Sequence, residues 1–186
     1  MSSGVRRTIA IATILLLALS SVAGAESKRR AKKQQQEAAP PAAPADKRDR
    51  VVSAPGTVFN GKVYWQATAQ CGGIYFKLGT VYSDSAVRAK VIKPDPAAYT
   101  SFTKDADSAN KTATAFFDAA ERFLIADRKL TRDEAVMTYD VLASASGDRI
   151  KTAEAAMAAA KPCPELYLAC RSAFPQICNE KNVPVN

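Results

Sequence analysis

Eight residues between Tyr99 and Phe123 constrain this chain more than any other feature in it. Tyr99, Phe102, Ala106, Ala109, Ala113, Phe116, Ala120 and Phe123 recur at alternating steps of three and four. That period lines one face of an α-helix, whereas a strand face needs a step of two. The seam predicts a helix from Pro96 to Ala126. Asp95 can cap it, and Pro96 suits the first helical position, where an N–H would lack a partner anyway. Phe117, Leu124 and Ile125 lie beside the seam and widen its apolar face toward the C-terminal end, so that end should pack more deeply.

Thr131-Arg132-Asp133-Glu134 marks the next helix start. The Thr hydroxyl and the Glu carboxylate can each satisfy one orphan N–H, as in a capping box. Ala135, Tyr139, Leu142, Ser146, Ile150, Ala153, Met157 and Ala160 then hold a helical face up to Lys161, where Pro162 stops it. Gly147 lies midway and costs about 1 kcal/mol relative to Ala. The apolar phase continues past it, so one uninterrupted helix is predicted. A short last helix should begin at Pro164 and end before Pro175, with Leu166, Cys170, Ala173 and Phe174 inward. Upstream, Cys71, Ile74, Tyr75, Leu78, Val81 and Tyr82 keep helical spacing in a helix starting near Tyr64. Gly72 and Gly79 share one of its faces, where close approach of another helix would compensate their poor helix propensity. Residues 57–65 read either as a small hairpin around an Asn60-Gly61 turn or as an approach in which Asn60 caps the helix. The sum is an all-α, up-and-down bundle of three longer helices and a short C-terminal helix. Its alanine-rich seams let helix axes approach to about 8 Å.

The four cysteines, Cys71, Cys163, Cys170 and Cys178, are even in number and follow one another without close pairs. Zinc sites need such pairs, and redox or haem motifs need C-x-x-C. Two structural disulfides are therefore predicted, which requires an oxidising compartment. Cys163 and Cys170 lie along one helical stretch about 10 Å apart by helix rise, beyond the reach of a disulfide. Of the two remaining pairings, Cys71–Cys170 with Cys163–Cys178 is favoured, the tail after Pro175 folding back. That choice demands that the first helix end early, near Ser83-Asp84-Ser85, or that the third break at Gly147. The early end is preferred, because VRAKVIKPDP carries no good seam.

Residues 1–25 read as a signal peptide. Arg6 and Arg7 precede the apolar run IAIATILLLA, too short to span a bilayer unaided, and Ala23-Gly24-Ala25 is a cleavage site before Glu26. Lys28, Arg29, Arg30, Lys32 and Lys33 follow at once, against the positive-inside preference. Either a twin-arginine route tolerates them, or residues 8–25 anchor the chain in the opposite orientation. Residues 26–54 (basic, then Ala/Pro-rich, then mixed charge) predict a disordered linker. Their removal should then leave the thermal midpoint almost unchanged. The linker's cationic half could rest weakly on an anionic surface. Residues 55–186 would form a single domain. Export would make the protein periplasmic or secreted.

The net charge of +8 is concentrated upstream: residues 1–50 hold ten Lys or Arg against four Asp or Glu. The folded part is close to neutral, which argues against nucleic acid as a partner. There is no histidine, which removes imidazole general bases, Ser-His-Asp and Cys-His arrangements, and His-based metal sites. Asp105-x-Asp107-x-x-Asn110 resembles part of a calcium loop but lacks its glycine and has Phe116 where the glutamate should stand. It lies in the strongest helix and reads as an exposed polar face. Asp118 and Arg122 suit an i,i+4 pair. No nucleophile elbow, phosphate-cradling loop, metal site or cofactor site is legible. Tyr64, Trp65, Tyr75, Phe76 and Tyr82 are the densest aromatic cluster, destined for the core or for an exposed recognition patch. Two readings of function follow. One is a non-enzymatic exported module that binds a partner protein or a cell-wall or other envelope component. The other is a secreted hydrolase using paired Asp or Glu carboxylates, which needs a cleft holding both.

Overall fold

The computed structural model describes Asp46 to Cys178. The sequence expectations for residues 1–25 and 26–45 lie outside that range. Within it, five helices follow in order: α1 (Tyr64–Val91), α2 (Pro96–Arg128), α3 (Arg132–Asp148), α4 (Ala153–Ala160) and α5 (Cys163–Ala173). The protein is an all-α bundle stapled by two disulfides.

Local chemistry places the helix ends. Asp95 accepts from the Ala98 N–H at 3.0 Å and opens α2 as the sequence implies. The α3 capping box is complete: the Thr131 N–H donates to Glu134 Oε2 at 2.9 Å, and the Glu134 N–H to Thr131 Oγ1 at 3.4 Å. α2 stops at Lys129, which turns left-handed at φ 61°. α1 and α2 are antiparallel. Tyr64 stacks on Phe123 at 5.0 Å and Tyr75 on Phe116 at 5.8 Å, while Lys90 lies 5.5 Å from the Tyr99 ring at the other end. A Cβ on Gly72 would meet the Phe117 ring and one on Gly79 the Asn110 side chain, both on α2. The close helix approach read from these two glycines is present.

Three expectations are corrected together. α1 does not end at Ser83-Asp84-Ser85 but continues to Val91. The third helix does not run on to Lys161 but breaks after Asp148. Ile150 turns inward against Leu78, Ala109 and Ala156, and Thr152 caps a new helix by accepting from the Ala155 N–H at 3.2 Å. Across the break Ile150 and Ala160 stay inward as the seam implies, but Ala156 is buried where Met157 was expected, and Met157 is 48% exposed. The chain now doubles back along α1, and the cysteine pairing follows from that reversal. The bridges are Cys71–Cys163 and Cys170–Cys178, each with Cα atoms 5.8 Å apart, in place of the favoured Cys71–Cys170 and Cys163–Cys178. The second is local, because Cys178 N–H and Cys170 C=O both bond Phe174 in a turn after α5. Along α5, Leu166, Tyr167 and Cys170 are buried, whereas Ala173 is exposed rather than inward.

The linker boundary is also corrected. Residues 46–54 belong to the fold. Asp49 and Val52 are buried, and Arg128 grips Asp49 with Nε–Oδ1 at 2.8 Å and Nη2–Oδ2 at 2.6 Å. Arg50 pairs with Asp127 at 3.1 Å and stands 4.9 Å from the Phe174 ring. Neither reading of residues 57–65 holds among the described residues: no Asn60-Gly61 hairpin forms, and Val63 rather than Asn60 stands at the cap of α1. A single antiparallel bridge joins Val51 to Val63 instead, and Val52 N–H donates to Lys62 C=O at 2.8 Å. The partner that Val63 needs comes from the segment read as linker. Gly61 does take the positive φ of 78° that a turn there requires, while Asn60 uses its side chain to accept from the Ala54 N–H at 3.1 Å. This strap closes one end of the bundle over the aromatic core. Phe174 packs edge-on against Tyr64 and Phe123, and Tyr167 edge-on against Phe116.

Candidate functional site: a cleft where α1 and α3 cross

Two glycines bring α1 and α3 into backbone contact. A Cβ on Gly73 would run into the Ala143 backbone, and one on Gly147 would stand 3.1 Å from the Gly73 carbonyl oxygen. Contact this close leaves no side chains between the helices at the crossing. Beside it opens a cleft of about 330 Å³. Phe76, Lys77 and Thr80 of α1 form one wall; Asp140, Ser144 and Asp148 of α3 form the other; Phe117 of α2 closes the base. Phe117 is fixed from behind by stacking on Tyr139 at 5.5 Å. Burial pushes the Tyr139 hydroxyl pKa up, and the carboxylates of Glu121, Asp118 and Asp140 push it the same way. That phenol stays protonated at neutral pH and is no general base.

The five aromatics of the expected binding patch separate in the structure. Tyr64 and Trp65 are core residues, which corrects their place in a surface patch. Trp65 donates its indole N–H to Asp49 Oδ2 at 3.3 Å, and the Arg128 guanidinium lies 5.0 Å from its ring. The strap is what buries it, so its burial could not be seen while residues 46–54 counted as linker. Tyr75 and Tyr82 are half-buried against α2 and the Leu78 cluster. Phe76 alone is out in solvent, 59% exposed, at the rim of the cleft. Sequence reasoning missed Lys77, Thr80, Phe117, Asp140, Ser144 and Asp148 as a group. The available signal was the adjacent Gly72 and Gly73, which point to contacts on two different helices.

The cleft gathers aromatic, cationic, hydroxyl and carboxylate side chains in one opening. Asp140 and Asp148 stand eight residues apart on one helix, about 12 Å of rise. Glycosidase carboxylate pairs lie about 5–10 Å apart. Among the described residues no group of three His, Cys, Asp or Glu side chains could hold a metal ion. No helix among them is long and apolar enough to cross a membrane.

Burial alone would raise the pKa of Asp49 beneath the strap. Hydrogen bonds from Arg128, the Asp46 N–H and Trp65 outweigh that and hold it below the usual carboxylate range. This pair ties the strap to α2 and plays a structural part.

No protein-family model, curated protein or solved structure matches the chain. Its class therefore rests on its own architecture: a small all-α bundle with two disulfides. Those bridges place its maturation in an oxidising environment.

Proposed function

We propose that this protein is an exported, non-enzymatic helical module that binds a partner protein or envelope component through the α1–α3 cleft. The observation that carries the reading is Phe76. A large aromatic ring left in water beside an open cleft costs solvation free energy that a bound partner recovers, and such rings are favoured interface anchors. The glycine-lined crossing leaves room beside the ring, and Lys77, Asp140 and Asp148 supply polar groups that can fix orientation. Two further features support export. The disulfides need an oxidising compartment, and the N-terminal 25 residues have the charge, apolar run and Ala-Gly-Ala ending of a cleaved signal.

The test compares captures from envelope extracts by the wild-type chain, by Phe76→Asp and by Val58→Asp, a control at another exposed apolar site. Circular dichroism confirms that each is folded. A partner retained by the wild type and Val58→Asp but lost by Phe76→Asp is the expected result. Equal capture by all three would remove the cleft from the function. Intact-mass analysis of the exported protein should show a chain that begins at Glu26.

A further inference from the structure

Past the end of α3, α1 and α2 continue as a two-helix arm. Between Ser83 and Phe102 only Ala86 is buried. The end of this arm is apolar: Val87, Val91 and Ile92 are 60%, 70% and 76% exposed. Val87 and Val91 are one helical turn apart on the same face. The tip is held in shape rather than loosely frayed. The Ile92 and Lys93 N–H groups donate to the Arg88 carbonyl at 3.0 and 3.2 Å, and the Asp95 N–H to the Ala89 carbonyl at 2.8 Å.

Charge selects the occupant. Arg88, Lys90 and Lys93 are exposed around the three aliphatic side chains. Of the acids on the arm, Asp95 spends its carboxylate on the Ala98 N–H, while Asp84 and Asp107 lie further back along α1 and α2, so the tip itself stays net positive. A second copy docking tip to tip would press like charges together. An anionic bilayer satisfies both parts at once: headgroup phosphates take the cations while the acyl boundary takes the aliphatic groups.

We propose that the arm tip docks on an anionic phospholipid surface, Val87, Val91 and Ile92 entering the acyl boundary and Arg88, Lys90 and Lys93 meeting phosphates. Lys77 in the cleft lies fourteen residues before Val91, about 21 Å along the helix. Docking by the tip would thus hold the cleft clear of the surface. The proposal is independent of what the cleft binds.

Ile92→Trp in the full chain gives a probe specific to the tip, because Trp65 is buried and does not report on lipid. With phosphatidylglycerol vesicles its emission should shift to shorter wavelength and be quenched by brominated acyl chains. With phosphatidylcholine vesicles neither change should occur. Each cation beside an anionic surface strengthens binding about fivefold. Lys90→Glu/Lys93→Glu in the same background should therefore weaken binding at least tenfold, and about 0.5 M salt should weaken it too by screening. Co-sedimentation of the chain without the tryptophan probe should show the same loss on charge reversal. No quenching on anionic vesicles, equal response to both lipids, or a charge-reversed tip that binds undiminished would each overturn the proposal. So would concentration-dependent self-association abolished by Val91→Glu, which would assign the tip to a second copy.

Discussion

The two ends of the α1–α2 hairpin belong to the same pair of helices and meet very different surroundings. At one end Tyr64, Trp65, Phe116 and Phe123 are buried beneath α5, the strap and both disulfides. At the other, Tyr99 and Lys90 meet in solvent, and Val87, Val91 and Ile92 have no cover among the described residues. The α2 seam keeps its period throughout, so periodicity is not what separates the ends. What differs is the number of layers laid over the hairpin. The lesson is that a helical seam specifies which face turns inward, while depth of burial depends on segments distant in sequence.

The largest effect should come from the disulfide that closes the body. Cys71–Cys163 spans 92 residues and Cys170–Cys178 only 8. Restricting the unfolded chain gives about 4.6 kcal/mol for the first and about 2.5 for the second. Denaturant titration of Cys71→Ala/Cys163→Ala and Cys170→Ala/Cys178→Ala should show that order, and the reverse order would mean that the reduced chain keeps structure around Cys71. Aromatic deletions compare the ends directly. Phe123→Ala removes a fully buried ring and should cost about 4 kcal/mol. Phe102→Ala, half-buried on the arm, should cost about 1 kcal/mol, because much of that ring already meets water. Equal losses would show that the arm is covered in solution.

The strap gives the third contrast. Asp49→Asn removes the carboxylate that the nearly buried Arg128 guanidinium grips through two nitrogens and should cost about 3 kcal/mol. Deleting residues 46–54 should lower the thermal midpoint by many degrees, unlike removal of a spacer. The Asp49 carboxyl is held below its ordinary value of 3.8 in the folded state. The unfolded chain therefore binds the proton first, so this contribution is complete above that value and fades as the pH falls further. Thermal melts from neutral pH to pH 2 should show a larger loss in wild type than in Asp49→Asn, in which Glu134 and Asp46, also held below their ordinary values, still titrate. The smallest effect separates two glycines. Gly73→Ala forces α1 from the Ala143 backbone and should cost about 2 kcal/mol. Gly79→Ala meets first the Asn110 side chain, which can swing away. A gain in helix propensity of up to about 1 kcal/mol then offsets the strain, so its melting temperature should stay near wild type.

Helix starts were legible in the residues because capping chemistry is local. Asp95 with Pro96, and Thr131 with Glu134, satisfy N–H groups within three residues of themselves. The deeper packing of the C-terminal half of α2 was legible too, though of the three residues beside the seam only Leu124 is buried, Phe117 being half-buried and Ile125 37% exposed. The break after Asp148 was legible only as the less favoured alternative that the cysteines left open, a break at Gly147. Ile150 and Ala160 of the predicted face are buried within and beyond it, so the apolar phase gave no sign of the break, and only the exchange of Met157 for Ala156 records it. The cleft was hidden as well. Of its residues only Phe76 belonged to a visible cluster, and Asp140, Ser144 and Asp148 look like any solvated helix face until α1 is laid beside them.

The chain's own order of residues determined the helical class, three of the helix beginnings, the inward face of α2 and the need for two sulfur bridges. Tertiary structure decided which cysteines meet, where the third helix stops, that Trp65 is buried and that residues 46–54 are part of the body. The division has one physical cause. Periodicity and caps are settled by neighbours within a few residues, whereas bridges, breaks and burial depend on partners tens of residues away that only the assembled fold brings near.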